Sequence, residues 1–287
     1  MLGTTLMTTA TLYIIATPIG NLEDMTYRAV RILGEVDLIA AEDTRHSLKL
    51  LNHFGISRPL TSYFDHNQQL KGERILHALR QGKSVALISD AGTPCISDPG
   101  YQLVRDAVAE GISVVPLPGA CAAIAALSAS GLPTDTFTFA GFPPSRQGKR
   151  RSFLSGMSVL PGTLVLYEAP HRLLDTLHDI HEVLGERQVI VARELTKMFE
   201  ECIRGCVSEV ITAVSQGTVR GEVVLLIAPG EAVLQECEPL EIVLERLMAD
   251  GTLSIKDAAK QAAIISGVSR SEAYSEALRL KIRTDCA

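Results

Sequence analysis

Short apolar runs alternate with amphipathic stretches along most of the chain, and each run stops at small, acidic or turn-forming residues. Runs at 12–16, 36–41, 60–63, 84–88 and 112–115 have the length and aliphatic content of buried strands. The stretches 26–33, 46–51, 75–79, 103–109 and the Ala-rich 121–128 read as helices. Strand–loop–helix alternation at this spacing predicts parallel βαβ units. Gly131-Leu132-Pro133-Thr134 then marks a lobe boundary. Beyond it, strands are predicted at 136–140, 163–167, 189–192 and 222–228, with helices at 173–184 and 207–214. After Pro239 the strand pattern ends, and helical segments follow at 240–248, 255–265 and 272–282, the last opened by Ser269-Arg270-Ser271-Glu272. The pattern thus predicts a frayed start at 1–11, α/β lobes at 12–131 and 132–237, and a small helical domain at 238–287.

The turn after the run at 84–88 is the longest and richest in special residues: Ser89-Asp90-Ala91-Gly92-Thr93-Pro94-Cys95-Ile96-Ser97-Asp98-Pro99-Gly100. A structural turn needs two or three such residues, so this loop is predicted to bind a ligand at the carboxyl edge of the sheet. Gly92 permits close backbone approach, the prolines stiffen the loop, and Asp90 offers a carboxylate. Polar clusters end other runs: Glu42-Asp43-Thr44-Arg45, Tyr63-Phe64-Asp65-His66-Asn67, Tyr167-Glu168-Ala169-Pro170-His171-Arg172 and Arg193-Glu194-Leu195-Thr196-Lys197. Any one could be a solvated strand–helix junction, whereas four together favour a shared cleft. No G-x-G and no G-x-x-x-x-G-K-[ST] occurs. Cys202 and Cys206 lack a second pair at zinc spacing, and His178 and His181 fit a solvated helix face, so no metal site is predicted.

Composition narrows the class. Hydrophobic residues make up 46% and charged residues 21%, an ordinary globular balance, and no apolar run approaches a membrane span. The N-terminus lacks Lys and Arg through Thr11, which argues against a secretory signal. Six scattered cysteines suggest reduced thiols in the cytoplasm. The net charge of −6 means that any nucleic-acid partner must meet a local basic patch, for which Arg146-Gln147-Gly148-Lys149-Arg150-Arg151 is the densest candidate.

Thr17-Pro18-Ile19-Gly20-Asn21-Leu22, the E-D-T-R cluster, Ser89–Pro94, the Y-E-A-P-H-R cluster and the R-E-L-T-K cluster together resemble the tetrapyrrole-methylase fold family. Within it they resemble the branch of ribosomal RNA small subunit methyltransferase I, from about Leu12 to the C-terminus. The one departure is Phe64-Asp65, where the branch pattern reads His-Glu. The resemblance implies two α/β lobes with S-adenosyl-L-methionine in the cleft between them, commonly in a homodimer. It also implies methylation of the ribose 2′-hydroxyl of a cytidine in 16S ribosomal RNA of the small subunit. By motif, Pro18, Asp90, Gly92, Thr93, Ile96, Ser97, Gly119, Ala120 and Tyr167 would surround the donor, with Ala228 at the end of the last strand. The C-terminal helices would be a small appendage assisting RNA contact.

Methyl transfer to a poor hydroxyl nucleophile is helped by positioning and by a base or cation that favours the alkoxide. Glu168, Glu194 and Lys197 are the catalytic candidates. Arg45, Arg172, Arg193, Arg150 and Arg151 are the substrate-binding candidates. An interlobe salt-bridge network is the alternative reading of the first group. Two rival functions keep the same motifs: a methyltransferase acting on a corrinoid or porphyrin, and a ribosome-assembly factor that binds RNA without turnover.

Overall fold

The computed structural model describes residues 10–64, 68–217, 219–230, 240–249, 253–266 and 268–285. Residues 1–9 of the frayed start predicted at 1–11, the Asp65-His66-Asn67 part of the third cluster, Cys237 and Cys286 lie outside them, while Thr11 already belongs to the first strand. The chain forms two compact units, Met1–Pro229 and Gly230–Ala287.

In the larger unit, β1 (Thr11–Ile15), β2 (Leu38–Ala41), β3 (Leu60–Ser62), β4 (Val85–Ile88) and β5 (Ser113–Leu117) make a wholly parallel sheet, ordered β3-β2-β4-β1-β5. Its crossovers are α1 (Tyr27–Glu35), α2 (Thr44–His53), α3 (Gln68–Arg80) and α4 (Tyr101–Ala109). Burial on both faces explains the unbroken apolar runs. Ala86 and Ile88 pack under α1 with Ile32 and Leu33. The alternate residues Val85 and Leu87 pack on the other face with Ile75 and Leu79 of α3 and Leu103 of α4. Local capping sets the helix starts: Thr26 Oγ1 accepts from Ala29 N at 3.1 Å, and Asp43 Oδ1 accepts from Arg45 N at 2.8 Å.

The second sheet, β6 (Phe137–Phe139), β7 (Thr163–Glu168), β8 (Gln188–Arg193), β9 (Glu201–Cys206) and β10 (Val223–Ile227), is ordered β6-β7-β10-β8-β9. Only β6 and β7 are parallel, so the expectation of parallel units fails here. Apolar periodicity reports burial and not direction, and β10 inserts antiparallel between β7 and β8. Two elements had no sequence forecast. Edge strand β9 carries polar residues along an exposed border, and α6 (Gln147–Met157) grows out of the basic run. One face of the sheet is covered by α6, α7 (Leu173–Leu184) and α8 (Val207–Ser215). The other is covered by α5 (Ala122–Ser130), whose Ala123, Ala126 and Leu127 pack on Val165, Ile190 and Leu226. A helix that follows the first sheet in sequence therefore packs on the second and joins the two.

The smaller unit contains α9 (Leu240–Ala249), α10 (Ile255–Ile265) and α11 (Arg270–Asp285). Alanines 259, 262, 263, 273 and 277 allow close helix contact around Val243, Leu244 and Leu280. Ser269 Oγ accepts from Glu272 N at 3.2 Å at the start of α11. Among the described residues no helix is long and apolar enough to cross a membrane.

Candidate active site

The chain leaves β1 toward β2 and leaves β4 toward β5, in opposite directions along the sheet, which opens a crevice at their carboxyl ends. The loops there are laced together. Thr17 and Gly92 exchange backbone hydrogen bonds of 2.9 and 3.0 Å. Thr17 Oγ1 donates to the Ser89 carbonyl at 3.1 Å, and Thr93 Oγ1 donates to the Ala120 carbonyl at 3.0 Å. The Asp90 carboxylate accepts from Asp43 N at 3.0 Å, tying in the loop after β2. Gly92 has φ +78°, and a Cβ there would lie 3.3 Å from Ile19 Cγ2. Glycine lets the two loops meet without a side chain between them.

This crevice and the second sheet enclose two adjoining cavities. The first, about 280 Å³, is lined by Gly92, Thr93, Ile96, Ser97 and Asp98 from one lobe and by Phe142, Tyr167, Glu168 and 221–224 from the other. The second, about 430 Å³, is lined by Pro18, Gly20, Asp90, Lys197 and the His46, Lys49 and His53 side of α2. Ile19, Ala91 and Glu222 line both.

Among the described residues, the non-glycines with positive φ are Cys95 (71°), Ser97 (66°), Glu194 (51°) and Thr196 (68°). All four fall in the loop after β4 and the loop after β8. Left-handed backbone in L residues is costly and persists where surrounding contacts over-determine it, commonly at binding sites.

The second lobe supplies an aromatic wall and a charged rim. The Tyr167 ring packs against Phe139 and Phe142 with centroids 4.9 and 5.5 Å apart, and its hydroxyl accepts from Ala123 N at 3.3 Å. Burial pushes that hydroxyl up to about 12, so it stays protonated. Burial likewise pushes the Cys95 thiol up to about 11, which leaves it unreactive. Lys197 Nζ lies 2.8 Å from Glu194 Oε1 and 3.2 Å from Glu222 Oε2. Burial pushes its ammonium down, but hydrogen bonds to Glu194 and Glu222 more than offset this, and the net displacement is upward. The hydrogen bond from Lys197 holds Glu194 below the usual carboxylate range. Gly20 is one point where the lobes touch: a Cβ there would collide with the Lys197 side chain, which lies across the loop after β1.

The structure sorts the sequence candidates. Gly92, Thr93, Ile96, Ser97, Tyr167 and Glu168 line the first cavity, and Pro18, Asp90 and Lys197 the second. Ala120 stands behind Thr93, and Gly119 lies flat on Ala16. Ala228 is misplaced by the sequence reading. Because β10 is antiparallel, its beginning faces the cavities and its end, where Ala228 pairs with Gln188, lies four residues away on the far side. Glu168 lines the cavity with its backbone side only, since its side chain is 0% exposed. Its carboxylate accepts from Thr176 Oγ1 (2.6 Å), Ala169 N (2.8 Å) and Arg172 (3.3 Å).

The arginine expectations change most. Arg150 is buried against Asp179 at 2.6 Å, and Arg151 bridges Asp179 and Glu182, so neither offers a free phosphate contact. Arg172 is held by Glu168 and the Pro143 carbonyl, and Arg193 by Glu201 across the β8–β9 ladder. Arg45 folds back on Asp43, whose carboxyl it holds down to about 2. The sequence reading missed Glu222 and the basic side of α2. Glu222 had a signal, an acidic residue opening the last apolar run after Arg220-Gly221; the α2 residues had only ordinary helical spacing.

Two α/β lobes thus converge their motif loops on paired cavities. A profile of the Tetrapyrrole (Corrin/Porphyrin) Methylases matches residues 11–211, and one of the RsmI C-terminal HTH domain matches residues 238–281. The chain is 50% identical to the ribosomal RNA small subunit methyltransferase I of Pseudomonas aeruginosa over 95% of this chain and 98% of that one. It is 48% identical to that of Halalkalibacterium halodurans over 92% and 93%. A uroporphyrin-III C-methyltransferase from Thermus thermophilus, solved complexed with S-adenyl homocysteine, has the same fold: TM-score 0.53 and 19% identity, over 76% of this chain and 97% of that one. The chain belongs to the tetrapyrrole methylases and, within them, to the ribosomal RNA small subunit methyltransferase I family.

Proposed function

We propose that the protein transfers a methyl group from S-adenosyl-L-methionine to the ribose 2′-hydroxyl of a cytidine in 16S ribosomal RNA. The observation that carries this reading is the pair of cavities meeting at Ile19, Ala91 and Glu222, one for a compact donor and one open to a larger acceptor. The first cavity fits the donor. Its aromatic wall, Tyr167 with Phe142, suits a flat base, the backbone at Gly92 leaves room for close approach, and Asp98 supplies an acceptor for hydroxyl or ammonium donors. Once bound, the donor supplies an electrophilic methyl on a sulfonium.

The rest falls to residues of this chain. Lys197 is a fixed cation at the junction and stabilises the developing alkoxide, while Glu222, exposed to both cavities, accepts the hydroxyl proton. Glu194 orients Lys197, and its carboxylate also accepts from Glu222 N at 3.1 Å. Glu168 acts through position, anchoring the Ala169–Arg172 turn that carries the cavity wall. The protein works in the cytoplasm, where its free thiols stay reduced, and as a homodimer, for which exposed Met198 and Phe199 offer apolar area. Light scattering of the purified protein reads that mass directly.

Incubation with labelled donor and naked 16S RNA, intact small subunits or tetrapyrroles tests the acceptor. Label on a cytidine ribose is expected, and label on a tetrapyrrole alone overturns the reading. Gly92→Val tests the donor site. At φ +78° the branched side chain is strained and meets Ile19, so calorimetric donor affinity should fall at least about tenfold. Unchanged affinity would remove the loop after β4 from the site.

A further inference from the structure

We infer that the His46, Lys49 and His53 side of α2 is a phosphate-binding wall, which holds the RNA backbone beside the nucleotide being methylated. The inference rests on the RNA-methylation reading above. The three residues stand three and four positions apart, on one side of the helix, and all line the second cavity. All are exposed. Among the described residues none forms a hydrogen bond or ion pair with the side chains of these three, and the His53 ring meets Phe54 in a T-shaped contact with centroids 4.9 Å apart. Surface arginines elsewhere, such as Arg31, Arg80 and Arg105, are tied to carboxylates. In a chain of net charge −6, an unpaired Lys49 ammonium with two imidazole rings beside it on a cavity wall supplies donors available to an anion.

The rest of the cavity says which anion. Its lining also carries Asp90, at the start of α2, and Glu222, which is shared with the first cavity. A free phosphate gains nothing from carboxylates there. A nucleotide within a chain does: its phosphodiester sits against α2 while its ribose hydroxyl points at Glu222 and Lys197. The cavity, about 430 Å³, lies within the size range of small-ligand sites. The basic run that drew attention in the sequence cannot serve the same role in full, because Arg150 and Arg151 are consumed by Asp179.

The test uses the full chain with Lys49→Ala/His53→Ala and, as controls, Lys49→Arg and the α6 pair Arg146→Ala/Lys149→Ala. Anisotropy of a labelled 16S RNA fragment across a potassium chloride series gives affinity and salt slope. Calorimetry with S-adenosylhomocysteine gives donor-site affinity. The α2 double variant should bind RNA about tenfold more weakly at 0.1 M salt, with a slope shallower by about 0.7 for each lost phosphate contact. Lys49→Arg should restore binding, and S-adenosylhomocysteine affinity should not move. Unchanged RNA affinity and slope in the double variant overturns the inference while wild-type methylation of RNA keeps the functional reading intact. Loss of S-adenosylhomocysteine affinity overturns it as well, since the wall would then serve the donor. Failure of the wild type to methylate any RNA would defeat the functional reading itself. Both substituted side chains are exposed, and an unchanged melting temperature checks that the fold is kept.

Discussion

Lys197→Ala should lower single-turnover methyl transfer by about two to three decades while changing donor affinity less than about twofold. The ammonium is the only cation among the described residues of the Arg193–Lys197 loop that lines a cavity, and it is held by two carboxylates. Its ordinary value of 10.5 is displaced upward, so it stays charged through neutral pH. It therefore acts as a charge and not as a base. A group that meets developing negative charge contributes only in the transition state, which is why rate should fall and ground-state binding should not. Lys197→Arg keeps the charge but must fit its planar head against Gly20, so only partial recovery is expected. A rate for Lys197→Ala within about threefold of wild type would reduce the cluster to a link between lobes.

The largest expected loss of stability lies elsewhere, in Asp179→Ala. Asp179 is 0% exposed and receives Arg150 at 2.6 Å, Arg151 at 2.7 Å and Gln147 at 3.3 Å, which fastens α6 to α7. Removing it strands the Arg150 guanidinium, itself 4% exposed, at a cost of about 3–5 kcal/mol. For a unit of this size that lowers the melting temperature by about 6–20 °C. Burial pushes the Asp179 carboxyl up, but hydrogen bonds from Arg151 and Arg150 prevail and hold it below its ordinary 3.8. A depressed carboxyl stabilises the fold above its unfolded value and loses that contribution as pH falls through the folded one. Stability of the wild type should therefore drop below about pH 4, and Asp179→Asn should lack that part of the acid limb. Urea titrations at pH 7 and at pH 3 measure both, and a loss under about 1 kcal/mol at pH 7 would show that the pair is readily replaced.

Much of the architecture was legible because burial leaves a direct mark on sequence. Strands covered on both faces must be apolar throughout, so β1, β4 and β10 stood out as runs, and helix starts were marked by Thr26 and Asp43. Edge strand β9 left no such mark, since only part of each residue is buried and its composition is that of a loop. The motif loops were legible for a related reason. A loop that lines a cavity and meets two neighbouring loops needs glycine, proline and small polar residues at fixed places, as 89–100 has.

What the chain alone determined was thus most of the sequence of elements, the motif loops that line the cavities and the family. Only the tertiary structure decided what each charge does. Arg150 and Lys49 are both cations on helices, but one is buried against Asp179 and the other stands free over a cavity. Strand direction was decided there too, and it turned Glu222 toward the site and Ala228 away from it. The physical reason is that burial depends mainly on a residue's own polarity and its near neighbours. Ion pairing and strand direction depend on partners tens of residues away, and in those contacts no local pattern is written.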